Sequence, residues 1–316
     1  DFEAEFDINM TPFEGSLRRD LTINSLMWNP AKGLLDFHGG VRDLQDGIIR
    51  HVSDAFGEDP LRVLRVVQFL TRLGTRVDSD TVKMCQSLQG DFHTLSTQRV
   101  GMEWEKLVSK GVKPSLGIKA LRDLQWSQFF PGIDELTKDQ LAQFDHAVQV
   151  AIQDNLGSQE RAVLVLAALC QHMSNPQSFL SSINAQNWVK KGWVAKRVGT
   201  LISQKDIVSS DDSSVRHFAH TLSKGDVVIA DFGRLIRANH LGDSPSWLDS
   251  LVNKANSLGL LFQGVDPLLM GSDLIALGLN PGPQFGALLN TAFLAQLDGV
   301  FLDKEGALDW VQGQLG

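Results

Sequence analysis

Asp59 and Arg62 carry the most specific chemistry in this sequence. They stand three apart in the run Glu58-Asp59-Pro60-Leu61-Arg62, a spacing that places both side chains at neighbouring positions on one helix face. A carboxylate accepts a hydrogen bond from an exocyclic amine, and a guanidinium donates to a ring nitrogen or carbonyl. The pair is therefore complementary to a heterocycle with an amine beside a ring acceptor, as in cytosine and adenine. It rejects a ring that presents a carbonyl there, and a good bidentate contact of this kind discriminates by roughly 1–3 kcal/mol. Around the pair lies a store of forked donors. Arg18, Arg19, Arg42, Arg50, Arg62, Arg65 and Arg72 are the seven arginines between residues 14 and 72, joined by Lys32. Guanidinium forks suit phosphate oxygens because they donate paired, charge-assisted hydrogen bonds.

These residues need elements to hold them. Asp59 is suited to an N-cap and Pro60 to a first helical position. Leu61, Leu64, Val67 and Leu73 then follow helical spacing to Gly74, a natural C-cap. Upstream, residues 1–8 alternate Phe2, Ala4 and Phe6 with Glu3, Glu5 and Asp7, a strand pattern. Residues 11–15 read as a loop and 17–28 as a helix. Short strands are expected at 34–37 and 48–52, parted by a turn at Gly39-Gly40. From Asp59 onward the pattern is almost all helical. Helices are expected near 79–89, 97–109, 115–125, 139–153, 159–172, 187–203, 213–221, 225–239, 245–258, 272–277, 284–297 and 304–313. Residues 203–214, rich in Ser and Asp, read as a linker or loop. The fold class is thus mostly α, with a partial α/β segment at residues 1–52 followed by an all-helical remainder.

Four motifs in order carry a resemblance. Arg18-Arg19-Asp20-Leu21-Thr22-Ile23-Asn24-Ser25 is similar to an RRDFTINA signature. Asp36-Phe37-His38-Gly39-Gly40-Val41-Arg42-Asp43-Leu44 resembles the next motif, an Asp followed by two glycines and an Asp-Leu pair. Glu58 to Arg65 matches EDPLRVLR. Ser96-Thr97-Gln98-Arg99-Val100 with Glu103 resembles a later neck motif. Gly271-Ser272-Asp273-Leu274 and Pro281-Gly282-Pro283-Gln284-Phe285-Gly286 look like a tail pattern. Together they resemble the class II tRNA nucleotidyltransferases (CCA-adding enzymes) and the bacterial poly(A) polymerases. The resemblance implies the C-terminal part of a nucleotidyltransferase head at 1–52, a helical nucleotide- and RNA-binding neck at 53–130, and a helical body and tail at 131–316. It implies template-independent addition of CCA to tRNA 3′ ends from CTP and ATP, with Asp59 and Arg62 standing in for a template. Arg19, Asp20, Asn24 and Arg65 join them as nucleotide-binding residues. Mg²⁺ as cofactor, a tRNA or other RNA 3′ end as partner and a cytoplasmic location follow by the same resemblance. Poly(A) addition is the alternative activity, since one Asp/Arg pair serves both. A non-catalytic RNA-binding protein of the same fold is the second alternative.

The sequence also departs from the pattern. The family's Gly-Gly-x-Val-Arg-Asp loop and Asp-x-Asp metal carboxylates do not precede Arg18, so this polypeptide alone is expected not to transfer nucleotides. Gly39-Gly40-Val41-Arg42-Asp43 is read as the downstream glycine pair, and Asp78-Ser79-Asp80 as a helix cap. Glu5 is expected as a third carboxylate, an ordinary half-exposed strand being the other reading. Gln68 stands where the family often has Arg, which weakens any phosphate contact there. Arg99 and Glu103 are expected to pair at i, i+4. Ala168-Leu169-Cys170-Gln171-His172 resembles a degraded metal-site signature of an HD-type phosphohydrolase, with His146 as a remnant ligand; an inactive, structural helical module is expected. The helix start after Pro281-Gly282-Pro283 reads as a plain one. The formal charge of −8 and pI near 5.5 confine any RNA contact to local basic surface. Cys85 and Cys170 match no metal spacing. No eighteen-residue apolar run exists, so no membrane span is expected.

Overall fold

The computed structural model describes residues 10–204 and 210–315. Helix α1 (Pro12–Leu17) opens on a capping box: the Thr11 side chain accepts from the Glu14 amide, and Glu14 reaches back to the Thr11 amide at 2.8 Å. The expected loop at 11–15 is therefore a helix, and Thr-Pro-x-Glu was its signal. The expected helix at 17–28 does not form. A turn at Arg18–Asp20 leads to a 3-10 turn at Thr22–Asn24, and then to β1 (Met27–Asn29). β1 pairs antiparallel with β2 (Gly33–Leu35), with Trp28 opposite Leu34.

Gly39-Gly40 is not a turn between strands but the start of α2 (Gly40–Gln45). Gly39 sits at φ +73, where side chains are strained. A Cβ on Gly40 would lie 2.2 Å from the Thr22 carbonyl oxygen. The pair thus lets α2 press against the 3-10 turn, an approach no side chain permits. β3 (Ile48–Ile49) follows and pairs in parallel with β4 (Arg76–Val77), with α3 (Leu61–Leu73) between them.

α3 packs against α5 (Thr97–Lys110) and α6 (Ser115–Asp123), and α4 (Ser79–Ser87) precedes α5. Asp78 caps α4 by accepting from the Asp80 and Thr81 amides, as expected of a capping residue. α7 (Lys138–Gln153) and α8 (Ser158–Cys170) pair with each other, and α8 also packs on α5. Every residue of α8 from Ala162 to Cys170 is buried, the mark of a helix enclosed on all sides. Trp104 anchors this core, its ring centroid 5.1 Å from Phe130 and 5.2 Å from Phe179 in edge-on contacts. Phe179 belongs to α9 (Pro176–Ser182), a helix absent from the expectation although Asn175 caps it and Pro176 opens it.

The chain divides into two compact units, with α10 (Trp193–Ser203) running across the division at 198/199. The second unit holds α11 (Asp212–Ser223), α12 (Ile229–Asn239), α13 (Ser246–Ser257), α14 (Gly271–Ala276), α15 (Pro283–Asp298) and α16 (Lys304–Leu315). Its last three helices close over Leu274, Ala292, Phe301, Ala307 and Val311. The Ser/Asp run read as a linker or loop is in part a helix start, since Asp211 caps α11 by accepting from the Ser214 amide.

Candidate nucleotide-binding site

The segment Arg18–Asn24 is strapped in place by backbone and side chain. Leu21 is fully buried and bridges to His51. The Thr22 amide donates to the Arg50 carbonyl at 3.0 Å, and the Val52 amide to the Asp20 carbonyl at 3.2 Å. Thr22 Oγ1 donates to Asp43 at 2.7 Å, and Asp43 in turn receives Arg50 Nε at 3.0 Å. Asp36 caps α2 from outside, accepting from the Gly40 amide at 2.8 Å and the Val41 amide at 3.0 Å. Desolvation opposes ionisation of Asp36, but the amides of Val41, Gly40, His38 and Gly39 outweigh it and hold its pKa below the usual carboxylate range. Arg18 and Arg19 are left exposed at the turn, without a side-chain partner among the described residues.

Asp20 turns inward. It is buried, accepts Asn24 Nδ2 at 3.2 Å, and takes Arg65 Nε at 2.5 Å. Arg65 also lies 3.9 Å from Glu103, which Lys106 holds at 2.8 Å. Asp20, Asn24 and Arg65 thus form one brace between the turn and α3. Gln68 is buried one turn on, and its Nε2 has no hydrogen-bond partner; the same is true of Glu103 Oε2 and Trp104 Nε1. These three polar atoms of α3 and α5 are buried without a partner, where such groups are ordinarily hydrogen-bonded.

Asp59 and Arg62 sit at the mouth of this brace. Pro60 rather than Asp59 is the N-cap residue, yet Asp59 still caps, its Oδ1 accepting from the Leu61 amide at 3.1 Å. The Arg62 amide donates to the Asp59 carbonyl at 3.0 Å, so the two residues share one turn. Arg62 sends one guanidinium nitrogen to the Ala55 carbonyl and another to the Arg18 carbonyl, the latter at 2.9 Å. Asp59 Oδ2 receives Arg99 at 2.6 Å. The expected Arg99–Glu103 pair is therefore not made: Arg99 reaches across to Asp59, and Glu103 goes to Lys106 and Arg65. The contact of Arg99 with Asp59 is one that spacing in the sequence does not reveal, because the partner lies 40 residues away on another element.

Glu5 lies outside the described residues. Among the described residues, no group of three or more His, Cys, Asp or Glu is placed to hold a metal ion. In the segment resembling the HD signature, Leu169 and Cys170 are buried in α8 and burial lowers the His172 pKa. No helix among the described residues is long and apolar enough to cross a membrane.

Residues 4–50 match the poly A polymerase head domain family. A multifunctional CCA protein from Vibrio parahaemolyticus is 42% identical over 127 residues, 39% of this chain and 31% of the relative. One from Vibrio vulnificus is 48% identical over 110 residues, 33% of this chain and 27% of the relative. A CCA-adding enzyme from Alteromonas mediterranea is 41% identical over 110 residues, 33% of this chain and 28% of the relative. The chain therefore spans about a third of the length of the curated relatives it matches. The Bacillus stearothermophilus CCA-adding enzyme in complex with CTP superposes with a TM-score of 0.69 at 21% identity, over 96% of this chain and 75% of that one. The Thermotoga maritima CCA-adding enzyme complexed with tRNA gives 0.55 at 19% identity, over 96% and 74%. At such identities the likeness is one of fold, and it extends along nearly the whole chain. The head-domain match over residues 4–50 and the curated relatives over about a third of their length thus show a likeness to CCA proteins and to the poly A polymerase head, and the solved structures show their fold.

Proposed function

We propose that this chain selects and holds the nucleotide in a template-independent RNA nucleotidyltransferase that adds CCA to tRNA 3′ ends from CTP and ATP. The observation that carries the reading is the shared turn of Asp59 and Arg62 at the head of α3, beside the exposed Arg18 and Arg19. Asp59 is steered from two sides, by the Leu61 amide and by Arg99. A steered carboxylate accepts the exocyclic amine of cytosine or adenine, while Arg62, with five N–H donors and two nitrogens already engaged, turns a remaining N–H to the adjacent ring nitrogen. Uracil and guanine offer a carbonyl where Asp59 needs a donor, and the two acceptors repel. Arg18 and Arg19 take the phosphates, and Arg65 with Asp20 and Asn24 fixes the turn that carries them.

Such a reaction draws on Mg²⁺ to activate the 3′-hydroxyl and the leaving pyrophosphate. Glu5 is the carboxylate proposed for that centre. Asp20 is committed to Arg65 and Asn24 instead, and no cluster of carboxylates among the described residues fits a metal centre. The RNA partner is a tRNA 3′ end, and the setting proposed for tRNA maturation is the cytoplasm.

Nucleotide titration of the 316-residue chain tests the reading. CTP and ATP are expected to bind at least ten-fold more tightly than UTP and GTP, a factor within the roughly 1–3 kcal/mol of one bidentate contact. Asp59→Ala is expected to erase the preference while leaving phosphate-driven binding of all four. Equal affinities for the four in the unaltered chain would overturn it. The head-domain name supports poly(A) addition as the second reading, and ATP binding without CTP binding would favour it.

A further inference from the structure

Of the residues of α3, Arg62, Arg65, Phe69, Arg72 and the terminal Leu73 are not buried. The first four follow three- and four-residue steps along one helix face, so that face carries three guanidinia and one aromatic ring and ends beside the exposed Leu73. The Phe69 ring lies between two of the cations, with Arg65 Cζ 5.5 Å and Arg72 Cζ 5.3 Å from its centroid.

The two cations differ in freedom. Arg65 is held by Asp20, whereas Arg72 has no carboxylate partner among the described residues. Its contact with the ring is weak at a partly solvated site and yields readily to a phosphate. α5 runs parallel alongside: Arg99 meets Asp59, Lys106 and Glu103 lie beside Arg65, and the Val112 and Lys113 amides donate to the Thr71 carbonyl at 2.8 and 3.0 Å. Lys110 and Lys113, both exposed, therefore stand at the Arg72 end. The carboxylates along the way, Asp20 and Glu103, are buried and already paired. Glu105 lies instead on a separate recess of about 440 Å³ shared with Asn184 and Asn187.

This face begins at the base-reading pair and carries positive charge away from it. From Arg62 to Arg72 it runs about 15 Å at 1.5 Å per residue, the length of about four nucleotides stacked at 3.4 Å. A ring among cations recognises a base whose face is free together with the phosphates beside it. A base locked in a duplex does not offer that face. We propose that the Phe69–Arg72 stripe with Lys110 and Lys113 seats the unpaired 3′ strand of the RNA, one base stacking on Phe69 as Arg72 swings from the ring to a phosphate. The inference rests on the nucleotide-selecting role of Asp59 and Arg62 for its direction only, since the strand must end where the nucleotide is held.

Fluorescence anisotropy of the 316-residue chain with a labelled RNA hairpin tests it, using a hairpin with a four-nucleotide unpaired 3′ end against the same hairpin with a blunt end. The unpaired end is expected to bind more tightly. Phe69→Leu, which keeps the apolar volume but removes the stacking face, is expected to weaken the unpaired-end probe about ten-fold, within the range for one stacked base, and to leave the blunt probe unchanged. Arg72→Gln is expected to lower the slope of log K against log salt by about 0.7, one single-strand phosphate contact. CTP affinity should be unaltered in both variants. Equal binding of the two hairpins, or wild-type affinity in both variants, would overturn the proposal and assign any RNA binding to duplex contacts elsewhere. Since CTP selectivity is read separately, loss of this proposal leaves the nucleotide reading standing, and the reverse holds as well. Should Phe69→Leu fail to fold, Arg72→Gln and the exposed Lys113→Gln probe the same stripe through the salt slope, and an unchanged slope in both would overturn the proposal.

Discussion

Replacing Arg65 by Ala should destabilise the first unit more than any surface charge in the chain, through a mechanism legible in the geometry. Arg65 Nε meets Asp20 Oδ2 at 2.5 Å and its other arm lies 3.9 Å from Glu103; the side chains are 30%, 8% and 5% exposed respectively. The change leaves a buried carboxylate on Asp20 with Asn24 at 3.2 Å as its remaining side-chain donor, while Glu103 keeps Lys106. Removing one partner of a fully buried pair costs about 3–5 kcal/mol. Arg65 is nearly a third exposed, so water relieves part of that cost, and about 2–3 kcal/mol is the expected loss. Asp20→Asn removes the stranded charge, so the double variant should fall short of the sum of the singles by about 1–2 kcal/mol, the coupling of groups in direct contact. Arg65→Lys should not rescue, because an ammonium lacks the fork that spans both carboxylates. Urea unfolding followed by tryptophan fluorescence reads the four members of the cycle, Trp104 being buried on α5 against the same helix pair. Additivity within about 0.5 kcal/mol, or a loss below that size for Arg65→Ala, would refute the view that this brace holds the Arg18–Asp20 turn to α3.

Two further outcomes follow from the titrating groups. Asp36 has a folded pKa held below its unfolded value of about 3.9 by the amides at the start of α2. Its contribution is therefore present above that value and is lost as pH falls through the lower folded pKa. The stability gap between the native chain and Asp36→Ala should shrink on acidification from about pH 6 to about pH 3, and a gap that widens would contradict the capping geometry. Cys85 and Cys170 are both fully buried, and desolvation pushes the Cys85 thiol up to about 12 and the Cys170 thiol higher still. Neither should react with a disulfide reagent at about pH 8 until denaturant is added; rapid labelling of the folded chain would show that the core around α4 and α8 is not closed.

Helices were the most legible part of the chain. α3, α5, α6, α7, α12, α13 and α15 begin and end within a few residues of expectation, since their apolar faces repeat at 3.6 residues and their ends carry Ser, Thr, Asp, Pro or Gly. The stretch from residue 10 to 52 was least legible. Its strands are two or three residues long, too short for alternation to register, and its helices α1 and α2 are only six residues each. Reading Gly39-Gly40 as a turn failed because glycine marks both positive φ and close approach, and the decisive approach here is to Thr22, eighteen positions back in the chain.

The residue types at 59 and 62 and their spacing sufficed to state which base edges they complement, because hydrogen-bonding character belongs to the side chain and a three-residue step belongs to the helix. The partners of those side chains were decided only in three dimensions. Local spacing pointed Arg99 at Glu103, yet the parallel packing of α3 on α5 brings it to Asp59 at 2.6 Å. The partner of Arg65, the buried Asp20 forty-five positions earlier, could not be read from spacing either. Which opposite charge a side chain meets depends on how elements distant in sequence pack together, and local spacing does not contain that packing.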